Sequence, residues 1–511
     1  MCGIFGIINN NFNNNNNKSN LIKHRGPENT IIKSYPKKYY FCFHRLCIND
    51  LTEQANQPFE TEDYIIMCNG EIYNYKELIN TFNLNCKSNS DCEVICKLYE
   101  IMKVTDICKL LDGVFACSIY DKKKQVCYLF RDRIGVRPLF YESNFIDDSK
   151  EDIYLKFASE GKCLDTNILP LAPSTILIYD ILENDIRFEK YYELPMTCYL
   201  YKQETAIKHI NKLLTNAVKK RLISDRPIGC LLSGGLDSSI IASLLTKLSD
   251  KPIKTFSVGF KDSVDLVQAK KVANFLKTDH YELILDYDEA IKQLPNLIKD
   301  IETFDVTTIR ASIGMYLLSK YISENHPEKV IFSGEGADEI FGGYLYFHKS
   351  PTPEDFFHES YRLVSELHYF DVLRSDRCTS RFGLELRVPF LDKDVINYCM
   401  TLNPNLRQPI EGIEKFILRQ AFKNDYLPEY IVFRKKEAFS DGVGGKNKPF
   451  FSHIHDYIKK IDKYKKIDSI DIAEINYYKD IYDSYYNYPC IPHLWMPNWV
   501  ENVFNPSARI L

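Results

Sequence analysis

The chain lacks several features that would assign it to a familiar class. It contains no GxxxxGK[ST] motif, so it has no Walker-type phosphate loop. No apolar run reaches the length of a transmembrane helix, and no basic segment precedes the apolar N-terminus as in a signal peptide. The net charge of −4 over 511 residues excludes the strongly basic composition typical of nucleic-acid-binding proteins. We therefore expect neither a membrane nor a nucleic-acid partner.

The 16 cysteines are scattered along the chain, and no two are spaced as C-x-x-C. The nearest approach to a metal-binding pattern is Cys92 with Cys96, and this spacing does not favour a zinc site. Scattered cysteines in a chain of this length indicate reduced thiols, which predicts a cytoplasmic location. The length and an ordinary composition, 45% hydrophobic and 26% charged, predict two or more globular domains.

The segment Ser233–Ser239, which reads SGGLDSS, is predicted to bind phosphate. A short apolar run at 228–232 precedes it, and apolar residues at helical spacing follow it over 240–248. This pattern predicts a buried strand, a tight turn and an amphipathic helix. Glycines allow close approach of the backbone to a ligand, and the first N–H groups of a helix favour an anion. The alternative is a Ser/Gly-rich turn that only caps the helix.

A second acidic loop follows an apolar strand in Val330–Tyr344, which reads VIFSGEGADEIFGGY. Asp237 in the first loop would repel phosphate unless a divalent cation lay between them, and Mg²⁺ suits carboxylate and phosphate oxygens. Asp237 and Asp338 are therefore predicted to hold Mg²⁺ together. The alternatives are a solvated acidic loop and a dinucleotide-binding loop, although the third glycine of that fingerprint is missing.

Strands and helices alternate in the second half of the chain. A linker is predicted over 194–204, followed by a helix over 207–222, and further strands are predicted at Lys254–Phe260 and 281–285. This alternation is typical of a parallel α/β sheet. Ligands bind such sheets beyond the carboxyl ends of the strands, so the two loops are expected to meet there.

The N-terminus reads Met1-Cys2-Gly3, and an initiator methionine is usually removed before a small residue. Cys2 would then carry both a thiol and a free α-amine, whose ordinary pKa of about 7.7–8.0 lets it accept the thiol proton near neutral pH. This is the arrangement of an N-terminal nucleophile. Any small second residue would give a similar pattern, however, so the motif needs support from later segments.

Three later segments supply that support, namely HRLCIND at His44–Asp50, NGEIYN at Asn69–Asn74 and SDCE at Ser90–Glu93. Arg45 and Asp91 are candidates to pair with the carboxylate and ammonium of an amino-acid substrate. The Asn69 side chain and the Gly70 N–H are candidate donors to an oxyanion. The alternatives are a surface ion pair at Arg45, a type I′ turn at Asn69-Gly70 and a helix N-cap at Asp91.

In this order behind MCGIFG, these segments resemble the class II glutamine amidotransferases, and SGGLDSS resembles the signature of the ATP pyrophosphatases. Together the motifs resemble the glutamine-hydrolysing asparagine synthetases over nearly the whole chain, and Leu494–Leu511 is similar to the eukaryotic type. The resemblance implies a two-domain α/β fold. It comprises an N-terminal αββα hydrolase domain over residues 2–190 and a C-terminal parallel-sheet ATP pyrophosphatase domain over residues 204–511.

The resemblance also implies roles for individual residues. Cys2 would attack the glutamine amide while Asn69 and Gly70 hold the oxyanion. The remaining glutamine-binding residues would be Arg45, Leu46, Cys47, Ile48, Asn49, Glu71 and Asp91. ATP would contact Leu232, Ser233, Gly234, Gly235, Asp237, Ser238, Ser239, Val258, Ser333 and Gly334. Asp237 and Asp338 would bind Mg²⁺, and Glu335, Arg374 and Lys436 would act in catalysis.

The implied reaction makes asparagine from aspartate and ATP, with glutamine or ammonia as nitrogen donor. It would pass through a Cys2 thioester, channelled ammonia and a β-aspartyl-adenylate, and release glutamate, AMP and pyrophosphate. One alternative is the same architecture with another carboxylate acceptor. A second is a non-catalytic sensor, which the presence of Cys2, Asp237 and Glu335 disfavours. The departures from the family pattern are an asparagine-rich insertion at residues 9–17, GADE and HRGPE. A homodimer is one option for the assembly.

Overall fold

The computed structural model describes residues 1–9, 18–145, 153–261, 263–434, 444, 448–488 and 493–500. Most of the asparagine-rich insertion, the candidate catalytic residue Lys436 and the final eleven residues lie outside these ranges.

The N-terminal half contains two antiparallel sheets. Its strands are β1 (Gly3–Ile8), β2 (Asn29–Tyr35), β3 (Tyr39–Arg45), β4 (Phe59–Glu60), β5 (Tyr64–Ile72), β6 (Gly113–Asp121), β7 (Val126–Arg131), β8 (Phe140–Ser143), β9 (Leu155–Ala158), β10 (Leu169–Pro170), β11 (Thr175–Asp180) and β12 (Asp185–Lys190). Over the described residues, the strand order is β10-β8-β9-β1-β3-β2 in the first sheet and β12-β11-β7-β6-β5-β4 in the second.

The alternation of side chains along β1 explains how these sheets are covered. Ile4 and Ile8 point into an apolar core that the two sheets share, whereas Phe5 and Ile7 pack with residues of the C-terminal half. Because both faces of β1 are buried, the strand reads as a continuous apolar run. The outer face of the second sheet is covered by helices α1 (Tyr75–Phe82), α2 (Glu93–Tyr99) and α3 (Val104–Leu110).

The C-terminal half is built on a parallel sheet with the order β15-β14-β13-β16-β17 among the described residues. Its strands are β13 (Ile228–Leu231), β14 (Lys254–Phe260), β15 (Asp279–Leu285), β16 (Val330–Phe332) and β17 (Glu385–Arg387). The helices from α4 to α11 are α4 (Gln203–Lys220), α5 (Leu236–Leu248), α6 (Val264–Leu276), α7 (Tyr287–Lys292), α8 (Leu294–Ile301), α9 (Val306–Asn325), α10 (Ala337–Phe341) and α11 (Pro353–Glu366). Those from α12 onward are α12 (Asp371–Ser380), α13 (Lys393–Met400), α14 (Pro404–Arg407), α15 (Phe416–Phe422), α16 (Glu429–Val432), α17 (Phe450–Ile458) and α18 (Ile470–Asp483).

The predicted two-domain α/β class is confirmed, and so is the parallel sheet. SGGLDSS follows β13 and GEGADE follows β16, so adjacent strands carry both loops at their carboxyl ends. Helix α4 begins at Gln203, four residues before the predicted start, because polar Gln203 and Glu204 supply its exposed first turn. None of the helices in the described ranges is long and apolar enough to cross a membrane.

A buried ion network joins the two halves of the chain. The Arg25 guanidinium is fully buried and lies 2.8 Å from Glu160 Oε1 and 2.7 Å from Asp376 Oδ1. Arg377, beside Asp376 on α12, lies 2.9 Å from the same oxygen of Glu160. Removing one member of such a network would leave a buried charge unpaired, so it fixes how the halves meet.

A second buried ion pair attaches the C-terminal helices to α9. Arg310 donates to both carboxylate oxygens of Glu474 on α18, and Glu474 also pairs with His455 on α17 at 2.7 Å. Burial alone would raise the pKa of Glu474, but the Arg310 guanidinium and His455 lower it to about 2. His455, Asp471 and Glu474 are close enough to share a metal ion. Both oxygens of Glu474 already accept from the Arg310 guanidinium, however, which argues against a cation there.

Replacing Glu474 by Gln should lower the free energy of unfolding by about 3–5 kcal/mol at pH 7, because it leaves Arg310 buried without its charge partner. Since the folded-state pKa of Glu474 is depressed, its stabilisation is complete above the unfolded pKa of about 4.3 and is lost as the pH falls toward 2. The difference between wild type and E474Q should therefore shrink between pH 5 and pH 2 in denaturant titrations.

The matched control is Glu289→Gln, because Glu289 pairs with Lys292 on the surface and should change stability by less than about 1 kcal/mol. A loss in E474Q no larger than in E289Q would contradict the structural role of the buried pair.

Candidate active sites

A small pocket surrounds the predicted nucleophile Cys2. Leu46 N donates to Cys2 Sγ at 3.4 Å, and burial raises the pKa of the Cys2 thiol. A thiol in this environment needs a nearby base to become a nucleophile. The pocket is lined by Cys2, Arg45, Leu46, Ile48, Asn49, Asn69, Gly70, Glu71, Asp91 and Glu385, among others. Of the predicted glutamine-binding residues, only Cys47 is not among those that line it.

Asn69 and Gly70 lie within β5, so the interpretation of this pair as a type I′ turn is wrong. The Asn69 side chain is fully buried, yet neither its Nδ2 nor its Oδ1 has a hydrogen-bond partner among the described residues. A buried amide without partners is costly unless a ligand satisfies it. A Cβ at Gly70 would lie 2.3 Å from Val114 O on β6, so a side chain there would separate the two strands.

Asp91 is buried against the end of β5. Its Oδ2 accepts from Ile72 N at 2.6 Å, and its Oδ1 lies 3.3 Å from Asn49 Nδ2. The N-cap of α2 is Cys92, so the interpretation of Asp91 as a helix cap is wrong. The carboxylate is instead held on the wall of the pocket that contains Cys2.

Arg45 is only 6% exposed, so the interpretation as a surface ion pair is also wrong. Its guanidinium donates to Thr52 O at 2.7 Å, to Asn56 Oδ1 at 2.8 Å and to Asp50 O. Arg45 therefore fixes the loop over residues 50–56 as well as lining the pocket. How it would bind a substrate carboxylate stays a prediction.

The sequence analysis missed Glu385, which reaches this pocket from β17 of the C-terminal sheet. Arg387, two residues further on, lies 2.8 Å from Glu385 Oε1 and 3.3 Å from Glu71 Oε2. Burial, followed by the charges of Asp91 and Glu385, raises the pKa of Glu71 well above its ordinary value. The signal in the sequence is limited to Glu385 and Arg387 alternating with the apolar residues Leu384, Leu386 and Val388.

A larger cavity of about 250 Å³ opens at the carboxyl ends of β13, β14 and β16. The predicted residues that line it are Leu232, Ser233, Gly235, Asp237, Ser238, Val258, Ser333, Gly334, Glu335, Asp338 and Arg374. Gly234 and Ser239 are not among its lining residues. Gly234 has φ +73°, and a Cβ there would lie 2.4 Å from Ala269 N, so it shapes the turn. Ser239 Oγ donates to Gly235 O at 2.6 Å.

Asp237 and Asp338 share a cation that the sequence analysis did not identify. The Lys415 ammonium lies 2.5 Å from Asp237 Oδ2 and 2.6 Å from Asp338 Oδ1, and the side chain is 2% exposed. Asp237 Oδ1 is buried without a hydrogen-bond partner among the described residues. The two loops also pack closely, because a Cβ at Gly334 would lie 2.9 Å from the backbone of Asp237. Lys415 lies in the turn directly before α15, with φ +55°, and no sequence motif marks it.

Glu335 and Arg374 form an ion pair at 3.0 Å on the cavity wall. Arg374 is 4% exposed, so it is not a surface charge, and it also lies 2.8 Å from Asp371 Oδ1. Burial raises the pKa of Glu335, an effect that the Arg374 charge opposes. The third predicted catalytic residue of this site, Lys436, lies outside the described residues.

The comparisons with known proteins match the two halves of the chain to two different domain models. A glutamine amidotransferase domain model matches residues 1–215, and an asparagine synthase model matches 209–359 and 349–469. Proteins named asparagine synthetase [glutamine-hydrolyzing] from Gallus gallus and Homo sapiens are 40% and 38% identical to the chain. Each alignment covers 96% of this chain and 94% of the relative.

The chain belongs to the glutamine-hydrolysing asparagine synthetases.

In this asparagine synthetase chain, Arg25 connects the C-terminal half to Cys2, the predicted nucleophile. Arg25 Nε donates to Cys2 O at 3.0 Å, and its Nη1 and Nη2 lie 2.7 and 3.1 Å from the two carboxylate oxygens of Asp376. In the sequence, Arg25 stands within HRGPE, and no pattern there indicates this contact. The structure indicates that Asp376, on the synthetase side, fixes the guanidinium that positions Cys2.

Replacing Asp376 by Asn should lower kcat for glutamine hydrolysis about tenfold or more, because small displacements of a reacting group are costly. The KM for glutamine should change little. Synthesis with added ammonium should persist, which would show that the variant is folded. The matched control is Asp394→Asn, whose carboxylate is half exposed on α13. Equal glutaminase activity in D376N and D394N would contradict the positioning role.

Proposed function

We propose that this chain synthesises asparagine from aspartate, ATP and glutamine, and releases glutamate, AMP and pyrophosphate. The observation that carries the proposal is a strand shared by two chemically different pockets. Glu385 of β17 lines the Cys2 pocket, and Arg387 O at its other end accepts from Ser333 N in the larger cavity at 3.0 Å. The names of the relatives support asparagine as the product over amidation of another carboxylate.

The proposed glutaminase step begins with removal of Met1. In the structure the Met1 side chain is buried, and its amine lies 3.4 Å from Leu384 O. Once Cys2 bears the free amine, that amine takes the thiol proton and the thiolate attacks the amide carbon of glutamine. Asn69 Nδ2 and Gly70 N–H would donate to the oxyanion. Collapse releases ammonia and leaves a thioester, which water hydrolyses to glutamate.

The proposed synthetase step takes place in the larger cavity. Leu232 and Val258 would contact the nucleotide, and the loop at 233–239 with the N-terminus of α5 would hold its phosphates. The β-carboxylate of aspartate attacks the α-phosphorus, and pyrophosphate leaves. Ammonia from the first pocket then attacks the β-aspartyl-adenylate, Glu335 accepts the surplus proton, and AMP leaves. Arg374 and Lys436 would stabilise phosphate charge.

Mg²⁺ is proposed as the partner of ATP, held by Asp237 and Asp338. Two features support the fit, namely that a single ammonium, Lys415, serves both carboxylates and leaves negative charge in excess, and that Asp237 Oδ1 lacks a partner among the described residues. An all-oxygen donor set suits Mg²⁺. When bound, the ion would neutralise the charge on the departing pyrophosphate.

The domain boundaries, the cellular location and the partners are also proposals. We propose domains at residues 2–190 and 204–511, which fit the change from antiparallel to parallel sheets. A cytoplasmic location is supported by the cysteines, which are free thiols wherever the structure describes them. We further propose that the enzyme works without nucleic acid or membrane partners, and that a homodimer is the assembly to test.

The function is tested by supplying purified protein with ATP, Mg²⁺ and aspartate, together with either glutamine or ammonium. Wild type should make asparagine from both nitrogen donors, with one pyrophosphate for each asparagine. Cys2→Ala should abolish the use of glutamine and spare the use of ammonium, because the two pockets are separate. Loss of both activities in C2A would count against separable sites, with Cys198→Ala, which removes an exposed thiol outside both pockets, as the matched control. Glutamate release without asparagine in wild type would point to another acceptor.

A further inference from the structure

We propose that Glu339 and Asp371 form the subsite that binds the α-ammonium group of aspartate. This proposal deepens the proposed function and rests on it. The observations that support it lie on the part of the larger cavity wall that continues past Glu335. The lining residues there are Thr307, Glu339, Tyr344, Phe370, Asp371 and Trp495. None of them belongs to the predicted ATP or Mg²⁺ site.

Glu339 has a carboxylate oxygen that no group in the described residues satisfies. It lies on α10 and is 3% exposed. Its Oε1 accepts from Tyr344 Oη at 2.6 Å, whereas its buried Oε2 has no hydrogen-bond partner among the described residues. A buried carboxylate oxygen without a donor is costly, so a donor from a ligand would account for it.

Asp371 extends the same acidic surface. Tyr344 Oη lies 3.3 Å from Asp371 Oδ2, so one tyrosine bridges the two carboxylates. Asp371 Oδ1 accepts from Arg374, which also pairs with Glu335. One guanidinium therefore serves two carboxylates, and none of the ion pairs formed within the described residues includes Glu339. The surface has negative charge in excess, which suits an ammonium ligand.

The reaction places the ammonium of aspartate close to this surface. Only one methylene separates the reacting β-carboxyl from the carbon that carries the α-ammonium. Since the β-carboxyl must reach the α-phosphate beside Glu335, the ammonium must bind next to Glu335. Glu339 follows Glu335 by four residues, and Asp371 shares Arg374 with it. The rings of Tyr344 and Trp495, whose centroids are 5.7 Å apart, enclose the site. This lowers the local dielectric and strengthens a carboxylate–ammonium pair.

The proposal is tested with succinate, which is aspartate without the α-amino group. Asparagine synthesis from ammonium is measured for wild type, Glu339→Gln and Asp371→Asn. For each protein it gives the KM for aspartate and, with succinate added, the inhibition constant of succinate. In E339Q the KM for aspartate should rise roughly 10- to 100-fold, the loss expected for one charge-assisted hydrogen bond. Succinate inhibition should stay within about threefold, so the preference for aspartate over succinate falls. D371N should shift the preference in the same direction.

Glutamine hydrolysis should be unchanged in both variants, because it takes place in the other pocket, and it reports that the variants are folded. The matched control is Glu354→Gln, an exposed carboxylate on α11 whose removal should not alter either constant. If E339Q and D371N weaken aspartate and succinate equally, or leave the preference as in wild type, the subsite is overturned while the proposed function stands. If wild type makes no asparagine at all, the proposed function fails first and the subsite with it.

Discussion

A strand of three residues, Glu385–Arg387, constrains both pockets of this chain. The Arg387 guanidinium is fully buried, pairs with Glu385 and Glu71, and donates to the carbonyls of Arg221 and Ile223. A buried guanidinium tolerates no loss of partners, so the strand has one position in the interface. That position puts Glu385 on the wall of the Cys2 pocket and holds Ser333 in the larger cavity through a backbone hydrogen bond.

The two pockets suit their chemistry in different ways. In the Cys2 pocket, the amide of Asn69 has no partner among the described residues and is held by the β5–β6 pairing, so the proposed oxyanion donors would need little reorganisation. The larger cavity instead carries carboxylates in excess, and a buried lysine partly neutralises them. Its proposed substrates carry groups of both charges, because the phosphates of ATP need cations and the ammonium of aspartate needs anions. One pocket can bind both kinds of group only if its positive and negative side chains lie at different places along the wall. Lys415 and Glu339 are separated in this way.

The sequence predicted the features that are local. The parallel sheet and the turn after β13 each come from consecutive residues whose spacing indicates the structure. The features it did not predict join residues far apart along the chain. Lys415 and Asp237 are separated by 178 positions, and Arg25 and Asp376 by 351. No local pattern marks either partner, and the unpaired oxygen of Glu339 is a property of packing alone. The fold was also needed to decide between the alternatives for Arg45, Asn69 and Asp91. Arginine is common on surfaces, asparagine in turns and aspartate at helix caps, so the residue type alone does not decide the role.

The central claim is that the two pockets act as one enzyme. The most direct test supplies glutamine labelled with ¹⁵N at the amide, an equal concentration of unlabelled ammonium, ATP, Mg²⁺ and aspartate, and measures the label in asparagine by mass spectrometry. The account predicts that most asparagine carries ¹⁵N, because ammonia released beside Cys2 reaches the cavity unprotonated while ammonium in bulk water does not. If the fraction of ¹⁵N in asparagine only equals the average fraction in the ammonium of the bulk solution, the claim is contradicted.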